Sequence, residues 1–393
     1  MRDVTPIWIP ETFSDRPFAR QHFVAITRWA VQNHPFYRRR IPDPAKAVPI
    51  LTREEILDHN DELLNGHPET TRTSGSTGIP VRISQSPEVR LRGERTVTAF
   101  IRGLGGALPR TRIIYPGTKK PAPDLIDIHS PVDEQIAFIQ KRFTQAGGVA
   151  IITYPTNAEA LCKRILERSL DMAFIQRFGC YAEALEPHQK ALIQKAFPNA
   201  QIWTTYSSME FGLIATMCPY EPDFYHISAN RIGLELLDAE GMPCPDGEVG
   251  RIVLTDYFNQ NSPLIRYEIG DLGVRGNCPC GRINLPALRE VIGKVRGSLL
   301  HRNGNRALFA ELSSALRDIP GMRRYQVEQE TLERFKVRIM CNPDRRNHPE
   351  FEGAIHAAFE RHFGYRPEAV ELAYVEDIAR GANGKFYASI CHC

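Results

Sequence analysis

Short segments rich in β-branched and aromatic residues alternate with helical stretches through the middle of this chain, and this pattern most limits the folds open to it. The β-like segments read RIIYP, GVAIITYP and AQIWTTY, and helical stretches such as NAEALCKRILERSL and PHQKALIQKAF lie among them. Strands that alternate with helices favour a sheet with helices packed against it. RIGLELLD and VGRIVLTDY then add a more β-rich section. We therefore predict an α/β fold with mixed sheets and packed helices.

The N-terminal part has a helical pattern. In FARQHFVAITRWAVQNHPFYRRR, apolar residues recur at roughly helical spacing until Pro35 interrupts them. In LTREEILDHNDELL, Thr52 and Glu55 form a capping-box pattern, in which the hydroxyl accepts from the backbone three residues on. Both stretches are predicted to be helical.

The C-terminal part begins a new alternation of strand-like and helical segments. The whole chain has 393 residues, which is long for a single core, so two domains are expected. Beyond about Gly297 the pattern predicts a small α+β domain of roughly 95 residues. We place the boundary within Gly293–Gly297, which divides the chain into a large N-terminal domain (residues 1–295) and a small C-terminal domain (residues 296–393).

Charge and cysteine content narrow the classes of partner and compartment. The net charge of +3 is small for this length and gives no reason to expect a nucleic-acid or membrane partner. We see no secretory signal and no apolar run long enough to span a bilayer. Nine scattered cysteines then favour reduced thiols or a metal site over disulfides, and a cytoplasmic protein is expected.

The strongest local signal is the small, polar, glycine-rich run TRTSGSTGIP. Its glycines let the backbone turn tightly and direct several N–H groups to one point, and its hydroxyls add donors, which suits a polyphosphate. It lacks the lysine of the GxxxxGK[ST] loop, and a flexible surface turn is the alternative. The candidate phosphate-binding residues are Thr73, Ser74, Gly75, Ser76, Thr77 and Gly78.

Three further motifs carry weaker signals. Glu210 in YSSMEFG follows the β-like AQIWTTY, where α/β sheets place ligand-binding groups, and its carboxylate could hold Mg²⁺. Asp271 in RYEIGDL could accept hydrogen bonds from a ribose diol, and Lys385 in RGANGKFYASI could stabilise developing negative charge. The ordinary alternatives are a solvated glutamate, a turn aspartate and an exposed lysine.

The order and spacing of these motifs resemble the adenylate-forming superfamily of acyl-CoA synthetases, peptide-synthetase adenylation domains and luciferases. The resemblance covers nearly the whole chain. TSGSTGIP resembles the family's phosphate loop, YSSMEFG its adenine and Mg²⁺ block, RYEIGDL its ribose block, IGKVRGSL its hinge block, and GK before FYASI its terminal catalytic lysine. HPFYRRR followed by VPILTREEI is typical of the phenylacetate–CoA ligase and coenzyme F390 synthetase branch.

The resemblance implies a two-step reaction. A carboxylate attacks the α-phosphorus of ATP and pyrophosphate leaves; the mobile C-terminal domain then rotates about the hinge, and a second nucleophile takes the acyl group. The catalytic residues implied are Lys385, which would bridge carboxylate and phosphate, and Glu210, which would bind Mg²⁺. The nucleotide-binding residues implied are Thr73 to Gly78, Tyr206 on adenine with its neighbour Ser207, Asp271 on ribose, and Lys294 in the hinge block.

Two departures from the family pattern leave the acceptor open. The family's hinge arginine is Lys294 here, and its hinge aspartate is Arg296; lysine keeps a charge but loses the bidentate fork. The tyrosine block reads Ser207-Ser208-Met209 where the family has Gly or Ser and then Thr. Acyl transfer to coenzyme A is expected. The alternatives are an amine, a separate carrier protein, or an inactive nucleotide-binding homologue.

The resemblance also implies an aromatic carboxylic acid as the substrate. The candidate pocket walls are Tyr154, Phe178 and Tyr181, which could equally be ordinary core residues. We expect a monomer or a homodimer.

A cysteine and histidine set lies beside these motifs. Cys218 and His226 follow the tyrosine block, and Cys278 and Cys280 follow the ribose block, with Cys244 as a spare. Three cysteines and one histidine are a complete tetrahedral ligand set for structural Zn²⁺. The C-x7-H and C-x-C spacings are looser than those of zinc fingers, so reduced cysteines in loops are the alternative. Some members of the branch hold zinc with similar residues, and we predict a structural zinc site.

Overall fold

A computed structural model of the chain describes most of its residues. The described residues are 6–72, 81–93, 95, 110–114, 122–146, 149–181, 185, 187–294, 299–303, 306–307, 312, 315–316, 318–379 and 388–393. The predicted phosphate-binding residues Thr73 to Gly78, the predicted catalytic Lys385, and Arg296 lie outside this set. The backbone of Lys294 is described and its side chain is not.

Helices and strands are distributed along the whole described chain. The α-helices are α1 (Pro17–Asn33), α2 (Pro35–Arg40), α3 (Arg53–Asp58), α4 (Asn60–Leu64), α5 (Val132–Ala146), α6 (Pro155–Glu167), α7 (Pro187–Ala196) and α8 (Pro349–Phe363). The strands are β1 (Thr71–Arg72), β2 (Arg82–Ile83), β3 (Arg110–Ile114), β4 (Leu125–Asp127), β5 (Val149–Thr153), β6 (Ile175–Cys180), β7 (Gln201–Ser208), β8 (Gly212–Met217), β9 (Tyr225–Ile227), β10 (Ile232–Leu237), β11 (Val249–Asp256), β12 (Tyr267–Gly276), β13 (Ala287–Lys294), β14 (Leu299–Leu300), β15 (Arg306–Ala307), β16 (Met322–Thr331), β17 (Arg334–Cys341), β18 (Ala369–Tyr374) and β19 (Ser389–Cys391). Every described helix is too short or too polar to cross a bilayer.

One large mixed sheet organises the first three quarters of the molecule. Among the described residues it has eleven strands, in the order β10-β11-β12-β13-β9-β8-β7-β6-β5-β3-β4. The strands from β3 to β7 pair in parallel, because helices carry the chain back between them, and the strands from β7 to β13 pair antiparallel. The α/β fold with mixed sheets predicted from the alternating pattern is confirmed.

The N-terminal helices cover the antiparallel half of this sheet. Phe23 and Ile26 of α1 are buried in the core that this half shares with its helices. The helix ends before Pro35, which begins α2, and Tyr37 of α2 donates a 2.7 Å hydrogen bond to the Pro263 carbonyl. The predicted capping bond is also present, since the Thr52 hydroxyl accepts from the backbone of α3.

The C-terminal part has its own sheet and its own core. In the described residues, β18-β17-β16-β19 form a four-stranded sheet. Phe335 and Val337 of this sheet pack against Ile355 and Phe359 of α8 in a cluster whose described members all lie at or after Leu299. This agrees with the α+β pattern predicted for the end of the chain.

A buried carboxylate connects the C-terminal sheet to the large sheet's helices. Glu159 of α6 is only 4% exposed and forms an ion pair with Arg324 of β16. Lys163 and His188 also approach its oxygens, at 2.8 and 3.5 Å. Burial alone would raise the pKa of Glu159, but the His188 hydrogen bond and the Arg324 and Lys163 charges outweigh it and hold the pKa well below its usual range.

We expect Glu159→Gln to lower the free energy of unfolding by about 3 kcal/mol, because it leaves the nearly buried Arg324 with only the more distant, exposed Asp377 carboxylate at 3.9 Å. The folded-state pKa of Glu159 is depressed, so the wild-type advantage is full above the unfolded pKa of about 4.5 and is lost as the pH falls below it. Thermal unfolding of both proteins from pH 7 down to about pH 2.5 measures this, since the difference between them should shrink progressively below about pH 4.5. Asp133→Asn, at an exposed pair with Arg164, is the matched control and should change little. Equal midpoints for Glu159→Gln and wild type at pH 7 would contradict the prediction.

Candidate functional site

Glu210 lies in the tight turn between β7 and β8. Gly212 follows at a φ of +64°, a left-handed conformation that glycine adopts without strain. The Ser208 hydroxyl accepts a 3.1 Å hydrogen bond from the Phe211 backbone and closes the turn. Glu210 is 2% exposed, so it is not the solvated glutamate that a surface turn would carry. Its position after β7 matches the prediction of a carboxylate beyond a strand end.

The predicted adenine and ribose residues contact each other directly. The Tyr206 hydroxyl of β7 donates a 2.5 Å hydrogen bond to Oδ2 of Asp271 in β12. Both side chains are buried, with Tyr206 9% and Asp271 3% exposed. Burial, and then the neighbouring Asp271 carboxylate, raises the pKa of Tyr206 well above its usual value. Tyr206 therefore stays a neutral donor that orients the carboxylate of Asp271.

Asp271 lies within a strand rather than in the turn that its preceding glycine suggested. Gly270 has a φ of +80° inside β12, and Asp271 follows it in the pairing of β12 with β13. In that register the backbone of Asp271 is opposite the backbone of Lys294. The predicted ribose and hinge residues are therefore neighbours on adjacent strands. The interpretation of Asp271 as an ordinary turn residue is wrong.

The other predicted contact residues are placed differently. Ser207 follows Tyr206 on the strand and is exposed, because successive side chains of a strand point to opposite faces. Tyr154 and Tyr181 form an edge-to-face ring pair at 5.0 Å beyond the carboxyl ends of β5 and β6. Phe178 packs on Phe197 inside the core of the parallel half.

Two further buried residues, to which the motifs gave no role, lie around the Glu210 turn. Tyr267 is 1% exposed, and its pKa is raised by its burial and then by the nearby Glu210 carboxylate. Arg231 forms a buried ion pair with Asp256 at 3.0 Å and donates to the backbone beside Glu210. Sequence reasoning missed Arg231 because no spacing rule links it to YSSMEFG.

The four predicted zinc ligands form one cluster. The ligand atoms of Cys218, His226, Cys278 and Cys280 all lie within 4.8 Å of one another. Cys218 follows β8, His226 lies in β9, and the two other cysteines lie in the connection from β12 to β13. Since β13 and β8 both pair with β9, the sheet brings the three segments together. The spare candidate Cys244 lies apart from the cluster and contacts the Val249 carbonyl.

The donor chemistry of this cluster suits a zinc ion. His226 Nδ1 lies 3.3 Å from the Leu285 carbonyl, an arrangement that leaves Nε2 facing Cys280 Sγ at 3.7 Å. Backbone N–H groups of Arg282 and Ile283 lower the pKa of Cys280 to about 6, while burial and the neighbouring thiols raise the pKa of Cys278 to about 12. The lowered pKa of Cys280 favours its thiolate form, and a bound zinc ion would deprotonate the other cysteines.

The comparisons with known proteins identify the fold. No protein-family model and no curated protein sequence matches the chain. Solved structures do match. The chain is similar to 2-hydroxyisobutyryl-CoA ligase in its postadenylation state in complex with 2-HIB-AMP, with a TM-score of 0.68 and 17% identity, over 98% of this chain and 90% of that one.

Two further likenesses agree with this one. The same ligase, in complex with 2-HIB-AMP and CoA in its thioesterification state, matches with a TM-score of 0.57 at the same identity and coverage. An amide bond synthetase from Marinactinospora thermotolerans matches with a TM-score of 0.55 and 14% identity, over 80% of this chain and 66% of that one. Over nearly its whole length, this protein has the fold of the adenylate-forming ligases, as the resemblance of its motifs predicted.

Proposed function

We propose that this protein activates a carboxylic acid with ATP, releasing pyrophosphate, and then transfers the acyl group from the adenylate to a thiol such as coenzyme A, releasing AMP. One observation carries the proposal. Tyr206 in β7, Glu210 in the turn after β7 and Asp271 in β12, all predicted from the motifs, are buried, and Tyr206 bonds Asp271. Clusters of buried titratable groups are typical of functional sites.

The roles of these residues follow from their chemistry. Tyr206 offers an aromatic face for adenine, and its hydroxyl holds the Asp271 carboxylate in place to accept from ribose hydroxyls. The buried carboxylate of Glu210 is a hard oxygen ligand, which suits Mg²⁺ brought in with the triphosphate. When bound, Mg²⁺ would neutralise phosphate charge. Thr73 to Gly78, which lie between β1 and β2 in the sequence, would supply backbone N–H groups to the phosphates.

Residues 296–393 would act as a mobile lid over this site. Lys385 would place its ammonium between the attacking carboxylate and the α-phosphate, where negative charge develops. Structures of 2-hydroxyisobutyryl-CoA ligase in two states match this chain with different TM-scores, although the identity and the coverage are equal. This difference supports a change of domain arrangement in proteins of this fold. In this chain such a change would part Glu159 from Arg324.

The proposed acceptor is a thiol and the proposed substrate is an aromatic acid. A thiol acceptor is favoured by the likeness to a CoA ligase over 98% of the chain. An amine is the second candidate, because an amide bond synthetase shares the fold and Lys294 and Arg296 alter the hinge block. We propose an aromatic acid from the resemblance to the phenylacetate–CoA ligase branch, and the Tyr154–Tyr181 ring pair would supply an apolar wall.

The zinc site is proposed as structural. Cys218, His226, Cys278 and Cys280 supply four ligands and leave no open position for a substrate. A bound ion would tie β8 and β9 to the connection between β12 and β13. That connection leads into β13, whose last residue is Lys294.

Exchange of labelled pyrophosphate into ATP, without an acceptor, tests the proposed function. We expect exchange with at least one member of a panel of aromatic and aliphatic acids, because adenylate formation is reversible while the adenylate stays bound. The active acid, mixed with coenzyme A or with amines, should then release AMP with the true acceptor. Absence of acid-dependent exchange across the panel, in protein that binds ATP, would favour the inactive nucleotide-binding alternative.

A further inference from the structure

Gln85 connects the hairpin of the glycine-rich run to the turn of Glu210. Along the sequence, residues 73–80 of the run lie between β1 and β2, and these two strands pair antiparallel. Gln85 follows two residues after β2, and its backbone N–H donates a 2.8 Å hydrogen bond to the Thr70 hydroxyl at the other side of the hairpin. Its side-chain Nε2 donates a 3.2 Å hydrogen bond to the backbone carbonyl of Glu210. Gln85 therefore bonds both sides of this connection: its backbone N–H bonds the hairpin of β1 and β2, and its side-chain amide bonds the turn that carries Glu210.

Arg231 holds the same turn from its other side. Its Nη2 donates to the backbone carbonyl of Phe211, and to that of Leu213 at 3.3 Å. Its Nη1 donates to Oδ2 of Asp256 at 3.0 Å, and both charged side chains are 3% exposed. A buried guanidinium that bonds the backbone on both sides of Gly212 limits how far the Glu210 turn can move.

Asp256 carries this connection back to the hairpin. Its Oδ1 accepts from the backbone of Asn259 at 3.1 Å. The Asn259 side-chain amide donates a 3.1 Å hydrogen bond to the Ser84 carbonyl. The Ser84 backbone N–H in turn donates a hydrogen bond to the Ser262 hydroxyl. Ser84 is the residue before Gln85. The hairpin and the Glu210 turn are therefore joined twice, directly and through a buried polar network.

We propose that Gln85 and Arg231 are positioning residues, which hold the turn that carries Glu210 in a set position relative to β1 and β2, so that the Glu210 carboxylate can bind the Mg²⁺ of the triphosphate. This inference rests on the proposed function and names the residues on which its Mg²⁺ dependence relies. Neither residue touches the nucleotide in this scheme. Each acts on the backbone that carries Glu210.

Gln85→Met tests the direct connection. Methionine keeps the length of the side chain and removes the donor, and Gln85 is half-exposed, so the fold should persist. We expect the Mg²⁺ concentration for half-maximal ATP binding, measured by calorimetry, to rise about fivefold, the change that matches one hydrogen bond of about 1 kcal/mol. Excess Mg²⁺ should restore binding, and the KM for the acid and the melting midpoint should stay unchanged. Gln194→Met, which removes a similar bond to the Pro198 carbonyl in the exposed end of α7, should leave Mg²⁺ dependence as in wild type.

Arg231→Lys tests the second connection in a variant that keeps a cation beside Asp256. We expect a rise in the Mg²⁺ requirement at least as large as that of Gln85→Met, because lysine reaches fewer of the three acceptors. Wild-type Mg²⁺ dependence in both variants would overturn the inference while leaving the proposed function intact. ATP binding by the wild-type protein that does not respond to Mg²⁺ at all would instead overturn the Mg²⁺ role proposed for Glu210.

Discussion

Glu210→Gln should lower acid-dependent pyrophosphate exchange about 100-fold or more while leaving the fold intact. Glutamine has the shape of glutamate, but its neutral amide is a poor ligand for Mg²⁺, and metal stabilisation of phosphate charge is worth several kcal/mol. Glu210 is 2% exposed beside Tyr206 and Tyr267, whose pKa values its charge helps to raise, so water cannot simply replace it. Exchange at saturating ATP and acid, measured over a Mg²⁺ series, gives the effect.

The control for this variant is Glu240→Gln. Glu240 is exposed in the connection between β10 and β11, so the same chemical change there should leave exchange within error of wild type. A melting curve confirms that both variants fold. If Glu210→Gln exchanged at the wild-type rate across the Mg²⁺ series, Glu210 would not be the metal ligand and its burial would need another explanation.

Purified protein should contain about one equivalent of zinc, and Cys280→Ser should lose both the zinc and much of the stability. Structural zinc in small domains contributes about 10–16 kcal/mol of apparent binding energy. Here the site lies in a large sheet with its own core, so we expect a lower melting midpoint rather than complete unfolding. Loss of the ion would leave the Cys218 and Cys278 thiols and the His226 ring close together without the cation that joins their segments. Elemental analysis and thermal melting measure the two effects.

Two comparisons make the zinc prediction specific. Cys341→Ser, at a half-exposed cysteine outside the cluster, should keep the zinc and the melting midpoint. A strong chelator should lower the midpoint of the wild-type protein toward that of Cys280→Ser and should not affect the variant. Wild-type protein purified without chelators that holds less than about half an equivalent of zinc would rule out a zinc site.

The fold could be predicted where side-chain periodicity is clear. The alternation from RIIYP to AQIWTTY placed β3, β5 and β7 within two residues of their observed bounds, and the capping pair marked the start of α3. Strands β8, β12 and β13 were not anticipated, because YEIGDLGVRG and ALREVIGK mix charges and glycines with apolar residues. Such segments become strands because neighbouring strands satisfy their backbone groups, and pairing is a long-range property that local pattern does not show.

The family resemblance indicated the residues of the candidate site, and the structure supplied the contacts between them. The motifs named Tyr206, Glu210 and Asp271, and the structure places all three in buried positions. The hydrogen bond between Tyr206 and Asp271 joins residues 65 positions apart in the sequence. Arg231 and Gln85 could not be found from the sequence, since each acts on a backbone carbonyl, and a carbonyl is the same for every residue.

The sequence alone determined which chemical groups are available and their order along the chain: a glycine-rich hydroxyl run, a carboxylate after a strand, an aspartate after a glycine, and three cysteines with a histidine. It also determined the α/β class, because the period of apolar residues is local. The tertiary structure alone decided which groups meet. The strand order β12-β13-β9-β8-β7 brings together the metal-ligand candidates and places Asp271 opposite Lys294. The physical reason is that hydrogen-bonded strand pairing sets distances between segments far apart in sequence, and no local pattern encodes those distances.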